Sequence, residues 1–157
     1  MLIKGIIDCD LVNYKEPCLT IEMPKCDFKC DRECGTQVCQ NSSLASAPTI
    51  NLSIDFIIKY FDDNPITKAI CFQGLEPFDT FDDMIIFIQN FRKNHNDTII
   101  IYTGYKKEEI KDQIIILKQY KNIIIKFGRF IPNQKSRFDE LLGVTLSSDN
   151  QCAEVIS

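Results

Sequence analysis

No apolar run in this sequence reaches the ~18 residues that a membrane-spanning helix needs, so a transmembrane protein is not expected. The first residues, Met1-Leu2-Ile3-Lys4-Gly5-Ile6-Ile7-Asp8, are apolar only briefly and then meet Asp8 and Asp10. They carry neither the h-region nor the small-residue cleavage site of a secretory signal, and a cytoplasmic location is expected. Positive charge is not in excess: 18 Lys and Arg stand against 22 Asp and Glu, a net charge of −4. That balance does not favour nucleic-acid binding. Histidine occurs once, as His95 in the polar run Lys93–Asp97, and it is assigned no catalytic role. There is no Ser/His/Asp set, no paired-carboxylate constellation, no P-loop and no dinucleotide-binding glycine fingerprint. Internal repeats are also missing, which excludes a solenoid.

What remains is an ordinary globular composition with one unusual feature. The chain has 157 residues, 45% hydrophobic and 25% charged, as expected for one folded domain over residues 1–157 and not for a disordered chain. Its eight cysteines are too few for a disulfide scaffold, and disulfides do not suit a cytoplasmic protein. Cys26, Cys30, Cys34 and Cys39 crowd into one stretch, whereas Cys9, Cys18, Cys71 and Cys152 are scattered. The scattered four read as small core residues. The clustered four read as metal binding or redox chemistry.

Isoleucine-rich runs bounded by turn residues predict strands at Leu2–Ile7, Leu19–Met23, Ala69–Phe72, Thr98–Tyr102 and Asn122–Lys126, with weaker ones at Gly143–Leu146 and Ala153–Ile156. Helical spacing appears at Ile54–Phe61 after Ser53, at Phe81–Asn94 after Thr80, and at Lys106–Tyr120. In the last of these, Ile114-Ile115-Ile116 suits helix or strand. Strands alternating with helices imply βαβ units and a mostly parallel sheet, with ligands at the C-terminal ends of its strands. The small-residue stretch Gly35–Pro48 reads as a site loop.

The cysteine cluster begins just past a predicted strand, at the end where such sites form. A structural zinc site usually draws on two cysteine pairs separated by a long spacer. Four thiols in one loop suit an iron–sulfur cube better, and Lys25, Lys29 and Arg32 would offset its negative charge. Zinc, or a redox thiol loop, is the alternative.

A strand leading into this loop resembles the radical S-adenosylmethionine enzymes, whose signature is C-x3-C-x2-C. That resemblance implies a [4Fe–4S] cluster held by three thiolates. Its open iron would chelate S-adenosyl-L-methionine, which an electron then cleaves to a 5′-deoxyadenosyl radical. Cys26-x3-Cys30 matches the first half of the signature. Two residues compete for the third position. Cys34 is nearer in spacing. Cys39 is nearer in context, because Cys39-Gln40-Asn41 resembles the C-aromatic-Asn of the closest subfamily, and context tips the choice to Cys39, with Asp31–Val38 as an insertion. The remaining cysteine is then a spare, or a ligand when no cofactor is bound.

Further motifs carry the resemblance over nearly the whole chain, from about residue 19 to 156. Gln73-Gly74-Leu75-Glu76-Pro77 resembles the G-G-E-P turn that binds the cofactor's amino group, with Leu75 in place of the second glycine. A glutamate at a strand end beside a cluster loop is well placed to accept hydrogen bonds from an ammonium. Tyr102-Thr103-Gly104-Tyr105 resembles the Y-T-G-Y segment of the anaerobic ribonucleoside-triphosphate reductase activating proteins. Gly128-Arg129-Phe130 and Ser147-Ser148-Asp149-Asn150-Gln151 resemble that family's D-G-R-F and G-S-S-N-Q stretches, with Phe127 where the family has Asp and with Asp149 inserted. Read without the family, these are strand-ending turns and polar loops.

The resemblance thus implies cofactor contacts at Gln73, Gly74, Leu75, Glu76, Tyr102 and Gly104, and metal ligands among Cys26, Cys30, Cys34 and Cys39. It also implies an α/β fold, an open partial β/α barrel with mostly parallel strands. The implied partners are a glycyl-radical protein substrate, anaerobic ribonucleotide reductase, and an external electron donor, with no nucleic acid and no membrane. Two alternatives are a radical enzyme acting on another peptide or small molecule, for which no buried acid or base is evident, and a non-catalytic zinc or iron–sulfur interaction module. Lys121, Lys126, Arg129, Lys135 and Arg137 read as a solvated face, or as a surface for an acidic partner.

Overall fold

A computed structural model describes residues 1–157. In chain order the first half comprises β1 (Leu2–Ile3), β2 (Gly5–Asp10), β3 (Cys18–Met23), α1 (Lys29–Cys34), α2 (Ser42–Ala45), β4 (Ile50–Asn51) and α3 (Ile54–Asp62). The second half comprises β5 (Ala69–Gly74), α4 (Phe81–Phe91), β6 (Thr98–Tyr102), α5 (Lys111–Leu117), β7 (Ile123–Phe127), β8 (Arg137–Asp139), β9 (Val144–Leu146) and β10 (Cys152–Val155).

Six strands form one sheet in the order β2-β3-β5-β6-β7-β10. The inner four are parallel, and the edge strands β2 and β10 are antiparallel to their neighbours. The protein is therefore mixed α/β around a mostly parallel sheet, and the sheet does not close on itself. Each crossover advances by one strand in the same direction, through α3, α4 and α5 in turn.

Strand alternation then divides the sheet into two chemically different faces. Leu19, Ile21, Met23, Ile70, Phe72, Ile99, Ile101, Ile123, Ile125 and Phe127 join one core with residues of all three helices. Met84, Phe87, Ile88 and Phe91 supply the buried stripe of α4, and Phe72 meets Phe87 edge-on with centroids 5.4 Å apart. The opposite face carries Cys18, Ala69, Cys71, Ile100 and Ile124 against Tyr14, Leu142 and Leu146. Toward the strand ends that face turns polar, with Gln73, Tyr102 and Lys126 following one another across β5, β6 and β7.

Three expectations change. The first strand is two: β1 pairs with β4, and β2 starts anew at Gly5. The helix expected over Lys106–Tyr120 is a 3-10 turn at Lys107–Glu109 followed by α5, because the Glu109 side chain folds back onto the Lys106 amide and reaches out to Arg129. Ile114 and Leu117 turn into the core while Ile115 stays exposed, which settles the triple-isoleucine run as helix. The helix after Thr80 ends at Phe91, before Asn94. No helix is long and apolar enough to cross a membrane.

Candidate metal centre

The chain leaves β3 at Met23 and enters the cysteine stretch immediately. Phe28, at φ 54°, turns the backbone into α1, and its amide donates to the Cys26 sulfur at 3.2 Å. One turn later the Asp31 carboxylate accepts from the amides of Val38 and Cys39, both at 2.8 Å. Gly35, at φ 68°, ends α1 in the left-handed conformation that glycine adopts without strain. This clamp folds Cys39 back beside Cys30. Cys26, Cys30 and Cys39 line one cavity of about 470 Å³; Cys34, at the end of α1, does not.

Two residues past Cys39, Asn41 Nδ2 donates to the Gly74 carbonyl at 2.7 Å. Gly74 has φ 86°, and a Cβ there would stand 2.9 Å from Leu44 Cδ2 and 3.1 Å from the Glu22 backbone. The small-residue loop thus seats directly on the end of β5. Lys4 holds it from below through the carbonyls of Ala45 and Ala47. Leu75 is buried and lines the cavity, as do Gln73, Gly74, Glu76, Tyr102 and Gly104.

Glu76 stands just past the end of β5, and its carboxylate contacts protein donors. Both of its oxygens accept from these donors: Thr103 Oγ1 at 2.6 Å and the Phe78 amide at 3.1 Å on one, the Gly104 amide at 2.8 Å on the other, which keeps one acceptor site. The carboxylate ties the end of β5 to the end of β6. Burial pushes its pKa up to about 7 against the pull of those donors.

Lys126 and Arg129 do not form a solvated face: they are 7% and 6% exposed, and both line the cavity. Arg129 Nη2 pairs with Glu109 at 2.9 Å, and its Nε lies 3.6 Å from Glu33 of α1. Its Nη1 is buried without a partner. The arginine and Lys29 hold Glu109 down at about 2, with the arginine's hydrogen bond the larger cause. Behind them, Gly128 at φ 97° packs against Asn150 and Gln151, whose side-chain amides donate to the carbonyls of Arg129 and Gly128. The two C-terminal polar stretches therefore meet as one turn.

Burial pushes the Cys26 thiol up to about 12 and the Cys30 thiol up to about 11, the latter also through its neighbour Cys39. Such thiols stay protonated until a cation replaces the proton, so metal loading and deprotonation go together. Three soft sulfur donors at one cavity, an amide directed at one sulfur and an orphaned guanidinium donor alongside fit an anionic thiolate-bound metal group. Asp27 and Asp79 offer oxygens near Cys26, but Asp79 is already held by the Asp27 amide and the Tyr105 hydroxyl.

Of the scattered cysteines, Cys18 and Cys71 are buried, Cys152 is half-buried and Cys9 is exposed on the irregular edge strand β2. His95 stacks on Phe91, 4.5 Å between centroids, remote from the cavity residues. Sequence reasoning gave Asp31 and Thr103 no role of their own and placed Lys126 in solvent. The one available signal was Lys126, a charge at an alternating position in an otherwise apolar strand.

A family model described as a 4Fe-4S single cluster domain matches residues 18–152. No curated protein and no solved structure matches the chain significantly.

Proposed function

The chain belongs to the 4Fe-4S single cluster domain family, and on that premise we propose that it is a radical S-adenosylmethionine enzyme that activates a glycyl-radical protein. That family is found in radical S-adenosylmethionine-like proteins. The observation that carries the reading is the meeting of Cys26, Cys30 and Cys39 at one cavity, with Asn41 bridging to Gly74 beside them. In this reading the three thiols hold the cluster, and Cys34 is a spare. Three thiolates on four irons leave one iron for another ligand. When bound, the cluster and S-adenosylmethionine supply an electron and a deoxyadenosyl radical that abstracts hydrogen.

The chain's own residues do the rest. The cysteine loop and the Gly74–Glu76 turn flank the cofactor; Tyr102 and Gly104 close the next strand end. Glu76 keeps β5 and β6 in register through Thr103 and Gly104, and its remaining acceptor site with the turn's backbone can receive an ammonium. Leu75 gives the cavity an apolar wall that excludes water. Three crossovers advancing in one direction, with α3, α4 and α5 on one face, support an open partial β/α barrel of one domain. Leu11 and Val12 stand 68% and 76% exposed, and Val12 also lines the cavity, which suits approach by a protein partner such as an anaerobic ribonucleotide reductase. An external donor supplies the electron.

The test is reductive cleavage. Anaerobically reconstituted protein given dithionite and S-adenosylmethionine is expected to release 5′-deoxyadenosine and methionine, and Cys26→Ala is expected to lower the yield at least 100-fold. An iron-loaded wild type that releases neither product contradicts the reading. Zinc bound with no iron would return the protein to a structural module.

A further inference from the structure

Lys126 occupies a position where the strand pattern calls for an apolar side chain. It follows Ile123, Ile124 and Ile125 on β7, and its side chain shares a face with Ile124. Its ammonium donates to the Gly128 carbonyl at 2.9 Å and lies 5.7 Å from the centre of the Tyr102 ring. No carboxylate pairs with it. The Glu76 carboxylate, just past the end of β5, is already engaged by Thr103, Gly104 and Phe78. An ammonium has three N–H bonds. A carbonyl and a ring face satisfy part of that capacity, and the cavity is what remains. A buried charge without an anion is costly, so such a group is kept where a ligand supplies one.

Position separates Lys126 from the cluster side of the cavity. The cation beside the cysteine loop is Arg129, which shares a small second cavity with Cys26 and Cys30; Lys126 does not line it. Its neighbours are instead Tyr102, directly across in the register of β6 and β7, and Gln73 one strand further. Arg129 is already offset by Glu109 and Glu33. One uncompensated positive charge therefore matches one negative charge, which favours a carboxylate over a phosphate dianion.

We propose that Lys126 recognises a carboxylate on the molecule that enters the cavity as substrate, either an acidic residue of a peptide or a small organic acid. That this molecule is the substrate rests on the radical-enzyme reading; that Lys126 receives a carboxylate does not.

The test uses the full chain, reconstituted without oxygen and labelled with [ε-13C]lysine. The Lys126 resonance is identified as the signal missing in Lys126→Arg. Acetate, inorganic phosphate and two peptides, N-acetyl-Gly-Asp-amide and N-acetyl-Gly-Asn-amide, are titrated separately. Acetate, the Asp peptide, or both are expected to shift the Lys126 signal saturably, with phosphate no tighter than either one that does. Calorimetry of the same ligands is expected to show at least tenfold weaker binding to Lys126→Met and less than a tenfold change in Lys126→Arg. A stronger response to the Asp peptide than to acetate, with at least tenfold weaker binding of the Asn peptide, identifies a peptide source. A response to acetate alone identifies a small acid. A Lys126 signal unmoved by either carboxylate, tighter binding of phosphate, or unchanged affinity in a folded Lys126→Met overturns the proposal. None of these readouts depends on deoxyadenosine release, so loss of this inference and loss of the enzyme reading are separable.

Discussion

Cys39→Ala is expected to abolish cluster assembly, while Cys34→Ala leaves it within twofold of the unaltered protein. The two residues lie five positions apart, and spacing alone favours Cys34. The fold favours Cys39 through Asp31, whose carboxylate gathers the Val38 and Cys39 amides and turns the chain back toward Cys30. Cys34 is carried away by the last turn of α1 and stays off the cavity. Removing one of three thiolates leaves two ligands for a cluster that needs three, a loss of at least 100-fold in retained iron. Iron and acid-labile sulfide per chain, measured after reconstitution of each variant, check this. Loss of the cluster in Cys34→Ala with retention in Cys39→Ala would reverse the assignment.

Stability is expected to fall as pH rises from about 5 to about 7, and Glu76→Gln is expected to flatten that fall. The Glu76 carboxyl is 8% exposed, and burial raises its pKa from 4.5 to about 7. The folded chain thus holds this proton more tightly than the unfolded chain does. Its contribution is fully present below 4.5 and is lost as pH passes through about 7. The size is on the order of 3 kcal/mol at pH 8. Asp10, Asp27 and Glu109 are shifted the other way, so their contributions change below that window. Lys126, lowered from 10.5 to about 8, acts above it. Glu76→Ala removes the acceptor for Thr103, Gly104 and Phe78 together and is expected to destabilise by about 3 kcal/mol where the carboxyl is protonated, and by less as pH rises through about 7. Urea denaturation at pH steps from 5 to 8 measures both. A flat wild-type profile that coincides with that of Glu76→Gln contradicts this role.

The inner strands were legible because β3, β5, β6 and β7 are short runs of large aliphatic residues between turn signals, and alternation is enough to place them. The ends of elements depended on tertiary contacts. Glu109 leaves its helix to reach Arg129, which no periodicity reports, and β4 and β8 are too short to carry a pattern. The cysteine loop announced a metal by composition. Its internal geometry was hidden, because an aspartate in a first helical turn reads equally as a dipole partner, and only the folded loop shows Asp31 reaching Cys39. Lys126 and Arg129 were misread for a simpler reason: charge in a sequence suggests solvent, and burial of a charge becomes visible only with its surroundings.

One spectrum bears most directly on what this protein does. The reconstituted chain is reduced without oxygen, and its electron paramagnetic resonance is recorded with and without S-adenosylmethionine. A reduced [4Fe–4S] signal whose g-values move when the cofactor is added is expected, since an iron without a protein thiolate is open to the cofactor as a ligand. A cluster signal that ignores the cofactor, or no cluster at all, contradicts the radical-enzyme reading.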